Sequence, residues 1–87
     1  MSHELDSQFN DYLVFLRVER GLAENTVSSY RYDLEQYVSF LKGRGLTLPE
    51  ATQGVVFSFL NDQRRQKRSA RTRSRKLAAI RGLYRFF

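Results

Sequence analysis

Glu24-Asn25-Thr26-Val27-Ser28-Ser29-Tyr30-Arg31-Tyr32-Asp33-Leu34-Glu35-Gln36-Tyr37-Val38-Ser39-Phe40-Leu41-Lys42-Gly43-Arg44-Gly45 is the stretch that decides the fold. Val27, Tyr30, Leu34, Tyr37, Val38 and Leu41 recur at three- and four-residue steps, which puts them on one side of an α-helix. Gly43-Arg44-Gly45 ends the run with residues that tolerate positive φ, so the spacing predicts a helix at about 24 to 42. On that stripe Tyr30 and Tyr37 read as packing residues with hydroxyls near the edge, while Arg31 and Tyr32 lie further out.

The same period continues on both sides. Upstream, Leu5, Phe9, Tyr12, Leu13 and Leu16 form one stripe, and Gly21 supplies the stop. Downstream, Leu46-Thr47-Leu48-Pro49 reads as an extended connector, because the residue before a proline is pushed away from helical geometry. Thr52 offers a cap to a third helix running to about Gln66, with Val56, Phe59 and Leu60 inward and Gly54 weakening the first turn. Ser69 caps a fourth, whose apolar positions are Leu77, Ile80, Leu83, Tyr84 and Phe87. No strand-like alternation of useful length is present. The expected fold is all-α, a small orthogonal four-helix bundle in a single domain over residues 1–87. The fourth helix reaches Phe87 in mid-pattern with no stop signal, which suggests a piece of a longer protein.

Charge separates the two ends of the chain. After Asp62 there is no acid, and Arg64, Arg65, Lys67, Arg68, Arg71, Arg73, Arg75, Lys76, Arg81 and Arg85 follow within a chain of net charge +6. An ordinary charge run is a solvated face. A long run of cations with no compensating acid repels itself, however, and solubility alone favours interspersed signs, so the pattern points to a polyanion, nucleic acid above all. There is no cysteine and one histidine, His3, so neither a disulfide framework nor a thiolate or histidine metal site is expected. Gly-rich phosphate loops and paired acid/base constellations are also missing, which leaves a free-standing enzyme with almost no support. Met1-Ser2-His3-Glu4 lacks the basic flank and apolar run of a signal peptide, and no apolar run reaches membrane-span length, so a cytoplasmic location is expected.

Two polar surfaces are candidates for the contact. On the fourth helix, positions 71, 74, 75, 78, 81 and 82 fall away from the apolar stripe and hold Arg, Ser, Ala or Gly. Small residues among arginines allow close approach to a major groove, where guanidinium groups clamp phosphates or bridge guanine O6 and N7. At the start of the second helix, Asn25, Thr26, Ser28 and Ser29 cluster where free backbone N–H groups and the helix dipole favour an anion. Plain capping by Asn25 or Thr26 accounts for the same cluster.

The run Gly21-Leu22-Ala23-Glu24-Asn25-Thr26-Val27-Ser28-Ser29-Tyr30-Arg31-Tyr32-Asp33-Leu34, with Phe40-Leu41 and Arg44-Gly45-Leu46, resembles the second helix of the N-terminal, core-binding domain of tyrosine recombinases of the XerC/XerD and phage integrase type. Ser69-Ala70-Arg71-Thr72, Leu77-Ala78-Ala79-Ile80-Arg81 and Leu83-Tyr84-Arg85-Phe86-Phe87 resemble that domain's fourth helix. The resemblance implies a SAM-like domain forming half of a clamp around double-stranded DNA, with the second and fourth helices in the major groove of a recombination half-site. By position it places Asn25, Thr26, Ser28, Ser29, Arg71, Thr72, Ser74 and Arg75 at the DNA. Many relatives have Ser where this chain has Ala23, so Asn25 is the expected substitute cap. The resemblance further implies that catalysis, through a tyrosine nucleophile and without cofactor or metal, belongs to a C-terminal domain absent here. It also implies other recombinase protomers as partners, with the outer face of the first helix as an assembly surface, and neither a membrane nor a small-molecule substrate. A protein-interaction module serving subunit assembly is the competing expectation.

Overall fold

Local chemistry sets the helix ends, and tertiary burial sets their faces. The structure is a computed structural model that describes residues 2–87; Met1, the first residue of the expected domain and signal-free start, lies outside the described residues. Four helices follow in order: α1 (Ser2–Val18), α2 (Glu24–Gly43), α3 (Gln53–Arg65) and α4 (Ala70–Phe86), with no strand among the described residues. The all-α expectation holds. The Cα trace extends 34 × 30 × 17 Å, two long dimensions and one short, which fits helices that cross rather than a parallel bundle with a single long axis.

Thr52 and Ser69 cap α3 and α4 as their side chains suggest: Thr52 Oγ1 accepts from the Val55 amide at 3.4 Å, and Ser69 Oγ from the Thr72 amide at 3.1 Å. Gly21 (φ +60°) and Gly45 (φ +67°) provide the left-handed residues that turn the chain out of α1 and α2. After α2 the amides of Gly45 and Leu46 return to the carbonyls of Lys42 and Leu41 at 3.1 and 3.0 Å. Gly43 is still helical, so only one of the two glycines is used for its conformational freedom. After α3 the same closure is made by Lys67 at φ +64°, a position where an L side chain costs roughly 1 kcal/mol.

Two expectations about helix ends and connections are corrected. Asn25 is not the cap of α2: Ala23 occupies that position with extended backbone and no side-chain hydrogen bond. Asn25 is already the second residue of the helix, past the position from which a side chain accepts from the amides of the first turn. Within the connector only Leu46 and Thr47 lie outside a turn. Leu48-Pro49-Glu50 forms a turn closed by the Ala51 amide on the Leu48 carbonyl at 3.2 Å, with Pro49 at the turn position its fixed φ suits.

The core is contiguous. Leu5, Phe9, Tyr12, Leu13 and Leu16 of α1 are buried together with Val27, Leu34, Tyr37, Val38 and Leu41 of α2, Phe59 of α3, and Ala79, Ile80 and Leu83 of α4. Leu48, in the turn, joins them. Tyr30, Val56, Leu60, Leu77 and Tyr84 are only half-buried, and Phe87 is exposed; Phe86 takes the inward place instead, packing on Phe15 and Tyr12 at centroid distances of 4.8 and 5.3 Å. Tyr37 corrects the expectation of an edge hydroxyl. It is fully buried, and because Tyr84 Oη donates to the Leu48 carbonyl at 2.9 Å, Tyr37 Oη donates to Tyr84 Oη at 2.8 Å. This relay ties α2, α4 and the turn together, and burial pushes both phenols above their usual pKa.

Candidate nucleic-acid interface

α4 carries Arg71, Arg73, Arg75, Lys76, Arg81 and Arg85 and no acid. Its first turn places Arg71 and Arg73 at the positive end of the helix dipole, an arrangement that an external anion would relieve. Arg71, Ser74, Arg75, Ala78 and Arg81 are exposed, in line with their positions off the apolar stripe, and Arg85 joins them. Gly82 does not belong to it. A Cβ there would sit 2.7 Å from Tyr12 Oη, so Gly82 is the point at which α1 closes on α4.

Arg71 and Ser74 are exposed and have no side-chain partner among the described residues. Thr72 is half-buried and tied into the cap, its hydroxyl accepting from Ser69 Oγ at 3.0 Å. Arg75 is exposed, but its Nε and Nη2 donate to both oxygens of Asp33 at 2.8 and 2.9 Å, and this pairing pushes the guanidinium pKa up.

On α2, Asn25, Thr26, Ser28 and Ser29 are all exposed, and Ser29 Oγ is spent on the Asn25 carbonyl at 3.1 Å. With no side-chain cap at Ala23, the first-turn amides remain open at the helix dipole's positive end. Arg17 of α1 forks onto Glu24 at 3.0 and 3.1 Å, which holds that carboxyl below the usual range and covers one side of the turn.

The candidate surfaces meet through a polar junction. Contacts run in the same order along the two helices, Asp33 to Arg75, Gln36 to Lys76, Tyr37 to Tyr84, so the N-terminal halves of α2 and α4 lie on one side of their contact. Lys76 is buried, with Nζ donating to Gln36 Oε1 and, at 2.9 Å, to buried Gln63 Oε1 of α3. Burial lowers its pKa, Asp33 opposes that, and Arg68 and Arg75 add to it. Sequence reading missed Asp33, Gln63 and Lys76. Their signal was position: Lys76 stands four before Ile80, Asp33 four before Tyr37, and Gln63 four after Phe59, each on an apolar stripe.

On its other flank α4 forms a groove of about 540 Å³ with α3, lined by Val56, Phe57, Leu60, Leu77, Ile80 and Tyr84. Among the described residues no group of three His, Cys, Asp or Glu is placed to hold a metal, and no helix is long and apolar enough to cross a membrane.

Fold and surface together define a small all-α module with one cationic helix. The phage integrase, N-terminal SAM-like domain family matches residues 9–87, and the chain belongs to that family. It is 34% identical over 84 residues to the tyrosine recombinase XerD of Oceanobacillus iheyensis, covering 94% of this chain and 28% of the relative. The tyrosine recombinase XerC of Roseiflexus castenholzii is 36% identical over 83 residues, 94% of this chain and 26% of the relative. The XerD of Mycobacterium tuberculosis is 42% identical over 87 residues, 91% of this chain and 28% of the relative. The chain therefore spans little more than a quarter of the length of these recombinases. No solved structure matches it.

Proposed function

We propose that this chain is the DNA-binding module of a site-specific tyrosine recombinase, setting α2 and α4 into the major groove of a recombination half-site. The observation that carries the reading is α4 itself, six cations without an acid, five of them outside the core, with Arg71 and Arg73 at the positive end of its own dipole. Arg71, Ser74 and Arg75 on α4, with Thr72 at its cap, and Asn25, Thr26, Ser28 and Ser29 around the open amides of α2 are the proposed contacts. The breaking and rejoining of strands is assigned to the remainder of a recombinase, beyond the portion these 87 residues match. Double-stranded DNA is the partner, together with other recombinase protomers, and the cytoplasm is the proposed place of action.

Titration of a duplex carrying a XerD-type half-site and of a scrambled duplex across a salt series tests this. Binding with log K falling by about 0.9 per phosphate for each unit of log salt supports it, and Arg71→Ala reduces that slope by about one. No binding at low salt overturns it. A second reading, a subunit-assembly module, draws on the α3–α4 groove and on Phe57 beside it, 65% exposed. A stable oligomer at micromolar concentration without DNA, seen by sedimentation, favours that reading.

A further inference from the structure

Arg75 differs from the other arginines of α4 in being held by a carboxylate; Arg73 only donates Nη1 to the Arg68 carbonyl, at 2.7 Å. A guanidinium has two donor edges, Nε with Nη2 and Nη1 with Nη2, each suited to a pair of acceptors. Asp33 occupies the first edge with both carboxylate oxygens, at 2.8 and 2.9 Å. The Asp33 side chain is only 3% exposed, so the carboxylate is anchored in the fold, whereas the Arg75 side chain is 57% exposed. The second edge, Nη1 and the outer hydrogen of Nη2, therefore faces away from Asp33 in a fixed plane. Arg71, Arg81 and Arg85 have no carboxylate partner among the described residues, and their long side chains keep the rotamer freedom that a phosphate contact tolerates.

Resting on the DNA-binding reading above, we infer that Asp33 is a positioning residue that presents the free edge of Arg75 to the O6 and N7 of a guanine. The two parallel acceptors of guanine in the major groove match that edge, and a planar fork discriminates only when its plane is fixed. Charge supports the assignment to a base: Asp33 and Arg75 together are neutral, so the pair adds little to counterion release, which is left to the unpaired arginines. Asp33 reaches no DNA itself and acts through the orientation of its neighbour.

The test uses the 87-residue chain and a duplex that it selects from a random-sequence library, with each guanine replaced in turn by 7-deazaguanine, which lacks N7. The wild type is expected to lose affinity roughly ten-fold at one guanine. Arg75→Lys keeps the charge but not the fork. It is expected to lower the ratio of selected to scrambled binding by roughly ten-fold, to become indifferent to 7-deazaguanine at that position, and to keep the wild-type salt slope. Asp33→Asn, which cannot accept from both nitrogens, is expected to lower the same ratio. Melting curves establish whether the Asn variant folds, and if it does not, Arg75→Lys decides. The inference is overturned if either folded variant retains the wild-type ratio, if Arg75→Lys loses equally on both duplexes, or if the wild type binds every duplex alike. Failure of the wild type to bind any duplex at low salt removes the DNA-binding reading itself, a separate result.

Discussion

The α1–α2 seam and the α2–α4 seam are built from different materials. α1 supplies Leu5, Phe9, Leu13 and Leu16 to an apolar core shared with Val27, Leu34, Val38 and Leu41 of α2, and the charged pairs between these two helices, Lys42 with Asp6 and Arg17 with Glu24, are solvent-exposed. Between α2 and α4 the contact includes buried Asp33, Lys76 and Tyr37 and the half-buried phenol of Tyr84, with Gln63 entering from α3. Apolar contact is non-directional and tolerates sliding, while paired polar groups accept one register only. The first seam therefore supplies stability. The second fixes how the two helices proposed to meet DNA stand relative to one another, at little net gain in stability.

The sharpest way to break this contrast is to remove matter from the apolar seam. Leu16→Ala should cost about 3 kcal/mol in urea denaturation, since Leu16 is 2% exposed and rigid neighbours will not fill the space. A loss below about 1 kcal/mol would mean that the seam is loosely packed. Next comes the place where α1 meets α4. Gly82→Ala should cost about 2 kcal/mol, because the added methyl falls 2.7 Å from Tyr12 Oη while the ring is held against Phe15 and Phe86. Tyr12→Phe removes the clashing oxygen, and the nearest ring carbon is then at an ordinary 3.8 Å. The double variant should recover most of the loss, and a purely additive cycle would show that the clash is elsewhere.

This division also explains what the sequence disclosed. The stripes of α1 and α2, the caps at Thr52 and Ser69 and the stops at Gly21 and Gly45 were legible because each follows from one helix's own period or end chemistry. The exposed Arg71 and Ser74 were legible for the same reason. Lys76 was hidden within a run of arginines, although its place on the Ile80–Leu83 stripe marks it as inward. Its acceptors lie 40 and 13 residues away, and Asp33 lies 42 from Arg75, so neither pairing has a local signature. A helical wheel puts Gly82 on the same side as the arginines proposed to meet DNA, because it shows where a residue points but not that another helix arrives there.

In the polar seam the effect of a comparable truncation should be smaller. Lys76→Met fills the same space and removes a buried ammonium, but it leaves Gln63 Oε1, inside a residue only 3% exposed, without a donor. The gain in desolvation and the orphaned acceptor nearly offset, for a net loss of about 1 kcal/mol. A loss as large as that of Leu16→Ala would make the junction a source of stability and dissolve the contrast between the seams.

The smallest effect is one of pH, and its sign follows from the direction of the Lys76 shift. Burial depresses the folded pKa below that of an unfolded lysine, about 10.4, so between the two values the unfolded chain binds more protons than the folded one. Stability contributed at this site therefore rises with pH across that window and is flat below it, where both states are protonated and the full cost of burying the ammonium is present. Tyr37 and Tyr84 work in the opposite sense, since their raised pKa values let the unfolded chain ionise first, but only above about pH 10. They are common to the wild type and Lys76→Met and cancel in the difference. Urea denaturation of both proteins from neutral pH to about pH 9.5 should show the wild type gaining on the variant as the pH rises. A wild type that instead lost ground would mean that Gln36, Gln63 and Asp33 together hold the ammonium more favourably than water does, making the polar seam stabilising in its charged form.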